Sequence, residues 1–220
     1  MININNKKHI VLAGDSIFDN KPYVEQGDTV SDILKQKISL DHKLTLLAVD
    51  GHIASDVSKQ LVNLPSDCTD LFISVGGNDA LQHAYILENK VSTVAEAFEL
   101  FTEIIINFKF NYLDMIESVI QRCGAIGCKN ITICTIYKDV PNLGPLLQTA
   151  LSLFNEAILE LANNQQWNVI DLRIICNEET DYSFVSPIEP SREGGEKITD
   201  VIVKVLAQTN NDDTFSKVFT

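Results

Sequence analysis

Three short segments of the chain carry residue types suited to attack on an acyl carbonyl. Gly14-Asp15-Ser16-Ile17 follows the apolar run 9–13, Asp50-Gly51-His52 follows the run 44–49, and Gly76-Gly77-Asn78-Asp79 follows the run 71–75. Taken singly, each has a plain structural reading. Asp15 or Ser16 can cap a helix, and glycine, asparagine and aspartate together favour a turn. Taken together they supply a hydroxyl nucleophile, a glycine N–H and a carboxamide. That set is the minimum for attacking a carbonyl and holding the oxyanion that forms.

These segments must be brought to one place by the elements around them. The runs 9–13, 44–49, 71–75, 131–136 and 169–172 are short, rich in β-branched residues and almost unbroken in hydrophobicity. Such runs fit strands covered on both faces. Between them, 29–39, 53–63, 92–122 and 145–165 have helical spacing, and 193–207 supplies a closing helix with Ile198, Val201, Ile202 and Val205 on one side. In 145–165 the stripe is Leu147, Ala150, Leu151, Phe154, Ile158 and Leu161. Strand and crossover in alternation predict a five-stranded parallel sheet with helices on both faces, a three-layer α/β/α sandwich. Ligands of such sheets bind beyond the carboxyl ends of the strands. All three segments fall there.

The remaining composition narrows the partners. The 220 residues hold 17 Lys plus Arg against 30 Asp plus Glu, a formal charge of −13 that repels nucleic-acid backbones. With 45% hydrophobic residues the chain can fill a core, and its length suits one domain over 1–208, followed by a polar tail over 209–220. Thr209 to Asp213 in that tail reads as frayed. No run approaches the ~20 apolar residues of a membrane span. The first residues lack the apolar stretch of a secretory leader, so the expected location is cytoplasmic. Cys68, Cys123, Cys128, Cys134 and Cys176 show no close pair of the zinc-binding kind and read as reduced thiols. Oligomeric state is not readable. The first loop offers one glycine and no Ser/Thr run, which argues against a flavin phosphate cradle.

The three segments, in this order and at these positions, resemble the first three blocks of the SGNH (GDSL-like) hydrolases, and the resemblance extends over nearly the whole chain. It implies a flavodoxin-like sandwich and hydrolysis of esters, acyl or acetyl, without metal or cofactor, on a small ester-containing substrate. It also implies Ser16 as nucleophile and an oxyanion hole made by the N–H groups of Ser16 and Gly51 with the Asn78 side chain. Asp15 and Asp79 would support the loops, Asp79 by bracing Asn78.

The fourth block departs from the family. Members usually carry Asp-x-x-His before the last helix, whereas this chain reads Ser186-Pro187-Ile188-Glu189-Pro190-Ser191-Arg192-Glu193-Gly194-Gly195. Glu189 stands in the place of the base histidine and Ser186 in that of its orienting aspartate. The whole resembles a subset of the family with Pro-Ile-Glu-Pro-Ser. A carboxylate is the poorer base, with a reference pKa of ~4.3 against ~6.5 for imidazole. Burial near apolar residues such as Trp167 or Phe184 would raise it. Three readings follow: Glu189 serves Ser16 as base; His52 or His83 does so instead; or the site binds a ligand or protein partner without turnover. Glu189 also has a plainer role open to it, capping the following backbone or pairing with Arg192. Asp171 and Arg173 are expected to form an ion pair, and Asp181 to hold substrate or cap a turn. Phe18, Tyr23 and Tyr137 are candidates to line an acyl pocket, and the segment 80–112 either lids that pocket or packs across the sheet.

Overall fold

The computed structural model describes residues 7–208 and 216–220. Its strands are β1 (His9–Gly14), β2 (Lys43–Leu46), β3 (Asp70–Ser74), β4 (Asn130–Cys134), β5 (Asn168–Ile170) and β6 (Val218–Phe219). Its α-helices are α1 (Val30–Lys37), α2 (Ala54–Gln60), α3 (Gly77–Gln82), α4 (Val94–Ile126), α5 (Gly144–Asn164), α6 (Leu172–Ile175) and α7 (Arg192–Gln208). The six strands form one sheet in the order β2-β1-β3-β4-β5-β6, and every pairing is parallel.

The apolar runs are continuous because each strand is covered twice. Val11 and Ala13 of β1 face the layer of α2, α4 and α5, while Ile10 and Leu12 face that of α1 and α7. The same alternation sends Leu71 and Ile73 one way and Phe72 the other. Each such fully buried valine, leucine, isoleucine or phenylalanine contributes about 1.5–3 kcal/mol relative to exposure.

Two departures from the expected elements concern the last strands. The sheet has six strands instead of five, because the end of the chain returns to add β6 beside β5, with Val169 opposite Val218 and Ile170 opposite Phe219. Phe219 is buried there. Two residues are too few for a periodic signal, which is why the segment reads as tail. Thr209 to Asp213, expected to fray, lie outside the described residues. Leu172 ends no strand: Asp171 accepts from the Arg173 N–H and starts the single turn α6. The Asp171–Arg173 ion pair forms as expected, with two contacts of 2.7 Å. The cysteines are free thiols, all buried, and the fold brings together two that are remote in sequence, Cys68 Sγ and Cys128 Sγ at 3.8 Å.

One close approach fixes the first loop. Gly14 has φ of 121°, and a Cβ there would lie 1.9 Å from the Ser74 carbonyl oxygen. Only glycine lets β1 pass β3 this closely, so that the next N–H, that of Asp15, can donate to Ser74 at 2.9 Å. Gly14→Ala is therefore expected to lower unfolding free energy by about 3 kcal/mol or more. Denaturant unfolding followed by circular dichroism checks this, and a loss under about 1 kcal/mol contradicts the close approach.

Candidate active site

Ser16 sits in the tight turn that follows β1, where the Asp15 carbonyl accepts from Phe18 and Asp19 at 3.1 Å each. The Asp15 carboxylate accepts from the Ile17 N–H at 3.1 Å and steadies the turn, the role expected of it. Ser16 itself is buried, 6% exposed. Among the described residues its backbone N–H donates to no protein acceptor, and neither does that of Gly51.

Glu189 comes from the segment that leads into α7 and is 3% exposed. Its backbone is held at three successive carbonyls. The Tyr137 hydroxyl donates to Ile188, the Ser183 N–H to Glu189 at 2.8 Å, and the Asn20 amide to Pro190 at 3.1 Å. The N–H of Glu189 closes a turn onto the Ser186 carbonyl at 3.1 Å, which is what Ser186 contributes in place of an orienting carboxylate. Arg192, the alternative partner, instead meets Asp28 at 2.9 Å. One carboxyl oxygen of Glu189, Oε2, is buried without a partner among the described residues.

This burial pushes the Glu189 pKa up to about 7; hydrogen bonding with Ser16 opposes the rise and the nearby Asp50 charge adds to it. Asp15 is raised well above the usual carboxylate range, chiefly by burial, with the Ile17 N–H opposing and Glu189 adding to the rise. Trp167 packs in the core under α5 and Phe184 is fully exposed. Neither supplies the apolar cover expected of it. Ile17, Tyr137 and Ile188 line the same cavity as Glu189.

Ser16, Asn78 and Glu189 open onto one cleft of about 950 Å³, counting its mouth. Asn78 lies in the first turn of α3 and donates one amide hydrogen to the His52 carbonyl at 3.0 Å, which leaves the other for a ligand. Gly51, at φ of 80°, is exposed and outside the cleft lining, tied to it through the neighbouring His52 carbonyl. Asp79 does not brace Asn78. Its carboxylate accepts from the Ala54 N–H at 3.1 Å, at the start of α2, and burial raises its pKa to about 6.

The two histidines separate. His52 Nδ1 meets the Gln60 amide nitrogen at 2.9 Å, and His52 is not part of the cleft wall. His83 does line the cleft, and its Nδ1 is buried without a partner among the described residues. Of the aromatic candidates, Tyr137 lines the cleft, whereas Phe18 is fully buried in the α1/α7 layer and the Tyr23 hydroxyl donates to Asp50 at 2.8 Å. Asp181 is structural: it accepts from the N–H groups of Asn177 and Glu178 and pairs with Lys197 at 2.8 Å.

Two carboxamides escaped the sequence reading. Gln60 bonds both the N–H and the carbonyl of Gly14, at 2.8 and 2.7 Å, and Asn155 does the same for Ile136, at 2.7 and 2.8 Å. Each closes the backbone of a loop beside the cleft as a paired strand would. The available signal was a polar amide on an apolar stripe, Asn155 between Leu151 and Ile158.

No protein-family model matches the chain, and no curated protein matches it in sequence. Solved structures do. The lipase Lip_vut3 from a goat rumen metagenome superposes with a TM-score of 0.70 at 20% identity, over 90% of this chain and 97% of its own. The acetyl xylan esterase AlAXEase gives 0.64 at 18%, over 90% and 99%. A member of the lipolytic protein G-D-S-L family from Veillonella parvula gives 0.61 at 16%, over 91% and 99%. The chain thus has the fold of the G-D-S-L (SGNH) lipolytic hydrolases and esterases.

Proposed function

We propose that the protein hydrolyses carboxylic esters, with Ser16 as nucleophile and Glu189 as general base. The observation that carries this reading is the burial of a serine and a carboxyl of raised pKa at the polar end of one apolar cleft. The fold of esterases and lipases supports it.

Above pH 7 the Glu189 carboxylate accepts the Ser16 proton as Oγ attacks the ester carbon. The carbonyl oxygen becomes an oxyanion facing the Ser16 N–H and the free Asn78 amide hydrogen. Collapse expels the alcohol, which takes the proton from Glu189, and leaves an acyl-serine. Water, deprotonated by the same carboxylate, then releases the acid. Raising a carboxylate from its ordinary 4.5 to about 7 recovers the basicity that imidazole would otherwise supply. Ser186 has no carboxylate to orient a base, and a carboxylate, unlike imidazole, has no tautomer to fix. A second reading gives the proton to His83, which lines the cleft and whose Nδ1 has no partner among the described residues.

The expected outcomes are covalent labelling of Ser16 by a fluorophosphonate, and loss of p-nitrophenyl ester turnover in Ser16→Ala. The rate kcat/KM should climb with pH and level off above about 7. Glu189→Gln should lose about 10²–10⁴ in kcat, with His83→Ala retaining most activity. The reverse ranking supports His83 as base. Absence of labelling in folded protein rejects hydrolysis and leaves a binding pocket.

Glu189 also makes a stability prediction. Its folded pKa, about 7, lies above its unfolded value, 4.5, so the folded state holds the proton more tightly. That preference is fully present below pH 4.5 and is lost as pH rises to 7, so Glu189 weakens the fold at higher pH. Glu189→Gln should match the wild type near pH 4 and exceed it by up to about 3 kcal/mol above pH 7. Urea unfolding at the two pH values measures the gap, and an equal gap at both contradicts the shift.

A further inference from the structure

We propose that Cys68 and Cys128 form a peroxide-oxidisable dithiol, a modification site at which a disulfide locks β3 to β4 at the end of the sheet opposite Ser16.

The sheet brings these two thiols together. Strands β3 and β4 run parallel with Asp70 opposite Asn130, and each cysteine stands two residues before the start of its strand. Neighbouring strands lie about 4.8 Å apart, inside the Cα span of about 4.4–6.8 Å that a disulfide bridges. The two sulfurs are 3.8 Å apart although the residues are 60 positions apart in the chain. Rotation about one Cα–Cβ bond is enough to close that gap to a bond of about 2.05 Å. Backbone hydrogen bonds hold both turns, from the Cys68 N–H to the Pro65 carbonyl and from the Cys128 N–H to the Cys123 carbonyl, each 3.0 Å.

A buried thiol ordinarily fills space like a small apolar group. Cys134 and Cys176, in the opposite layer, do so, and burial pushes both thiols up. Cys128 differs. Its sulfur accepts from the thiols of Cys123 and Cys68 and from the N–H groups of Asn130 and Leu71, which holds it below the ordinary thiol value. The same contacts, with burial, raise Cys68 and Cys123. The thiolate is the form that attacks an oxidant, so Cys128 attacks and Cys68 resolves. Both lie just beneath the surface: Cys68 is 4% and Cys128 5% exposed, and Asp67, Gly127 and Lys129 beside them are exposed. A molecule as small as hydrogen peroxide reaches them when either turn opens slightly.

The Cys128 thiolate attacks one peroxide oxygen. The O–O bond breaks, hydroxide leaves and takes up a proton as water, and a sulfenic acid remains on Cys128. The Cys68 sulfur then attacks the Cys128 sulfur. The S–S bond forms as the S–O bond breaks, and the second hydroxide leaves as water with the Cys68 proton. The two thiols give up two electrons, and one hydrogen peroxide becomes two waters. The bridge joins positions far apart in sequence, the case in which a cross-link restrains the unfolded chain most. No group of the cleft takes part, so the proposal stands apart from the hydrolytic reading.

The test is hydrogen peroxide on the folded full chain, then alkylation, mass spectrometry and peptide mapping without reductant. Expected is the loss of two of the five free thiols and a Cys68–Cys128 cross-link. The melting midpoint should rise by about 5–15 °C, and dithiothreitol should reverse the rise. Cys134 and Cys176 should stay reduced. Cys123→Ala should form the same cross-link, and Cys68→Ser should lose the rise in midpoint. Where Cys68→Ser does not fold, the wild-type map decides. A cross-link of Cys128 to Cys123, or all five thiols still alkylated in treated folded protein, overturns the dithiol. A Cys68–Cys128 cross-link that leaves the midpoint unmoved overturns the lock.

Discussion

A carboxyl group buried beside a serine, with a carboxylate and no cation as its charged neighbour, is the constraint around which this structure is arranged. Removing a carboxylate from water costs several kcal/mol unless a cation or several hydrogen bonds compensate. Burial beside Ser16, with the Asp50 charge adding to it, holds the Glu189 proton to about pH 7. The cost in stability and the gain in basicity have one origin. A surface glutamate paired with Arg192 would be more stable and useless as a base.

Such a group stays buried only if its backbone cannot relax. Three consecutive carbonyls from Ile188 to Pro190 are each held by a different element: Tyr137 after β4, Ser183 before the turn, and Asn20 after β1. Asn20 also accepts from the Val30 N–H at 3.0 Å, so the first turn, α1 and the Glu189 segment move together. Gln60 and Asn155 close the backbone of two loops at the cleft rim in the same way. The Asp79 carboxylate joins the third loop to the start of α2. Rigidity at the polar end contrasts with the apolar walls that α4 and α5 give the cleft.

The layers and the place of the site were legible in the sequence because they follow from local pattern. Continuous apolar runs have one reading when long helical stripes separate them, and the loops after parallel strands must share an edge. What was not legible depends on contacts between distant residues. Asp79 reads as local support, yet it reaches a helix 25 positions earlier. His52 reads as a base candidate beside Gly51, yet Gln60 holds its ring. Phe18 sits just beyond a strand end like Tyr137, but the turn after β1 directs it into the opposite layer. The two-residue strand β6 left no periodicity to read. The replacement of histidine by Glu189 was visible at once, while the burial that alters its chemistry was not, since neither Trp167 nor Phe184 provides it.

The most direct test is a titration of the Glu189 side chain itself. Carbon-13 NMR of the carboxyl in protein labelled at glutamate, assigned by its absence in Glu189→Gln, reports the protonation of this one group. A midpoint near 7 is the result the account predicts. A midpoint at or below 4.5 would mean that the carboxylate is solvated or compensated at neutral pH, and it would contradict the description of Ser16 and Glu189 as a buried pair.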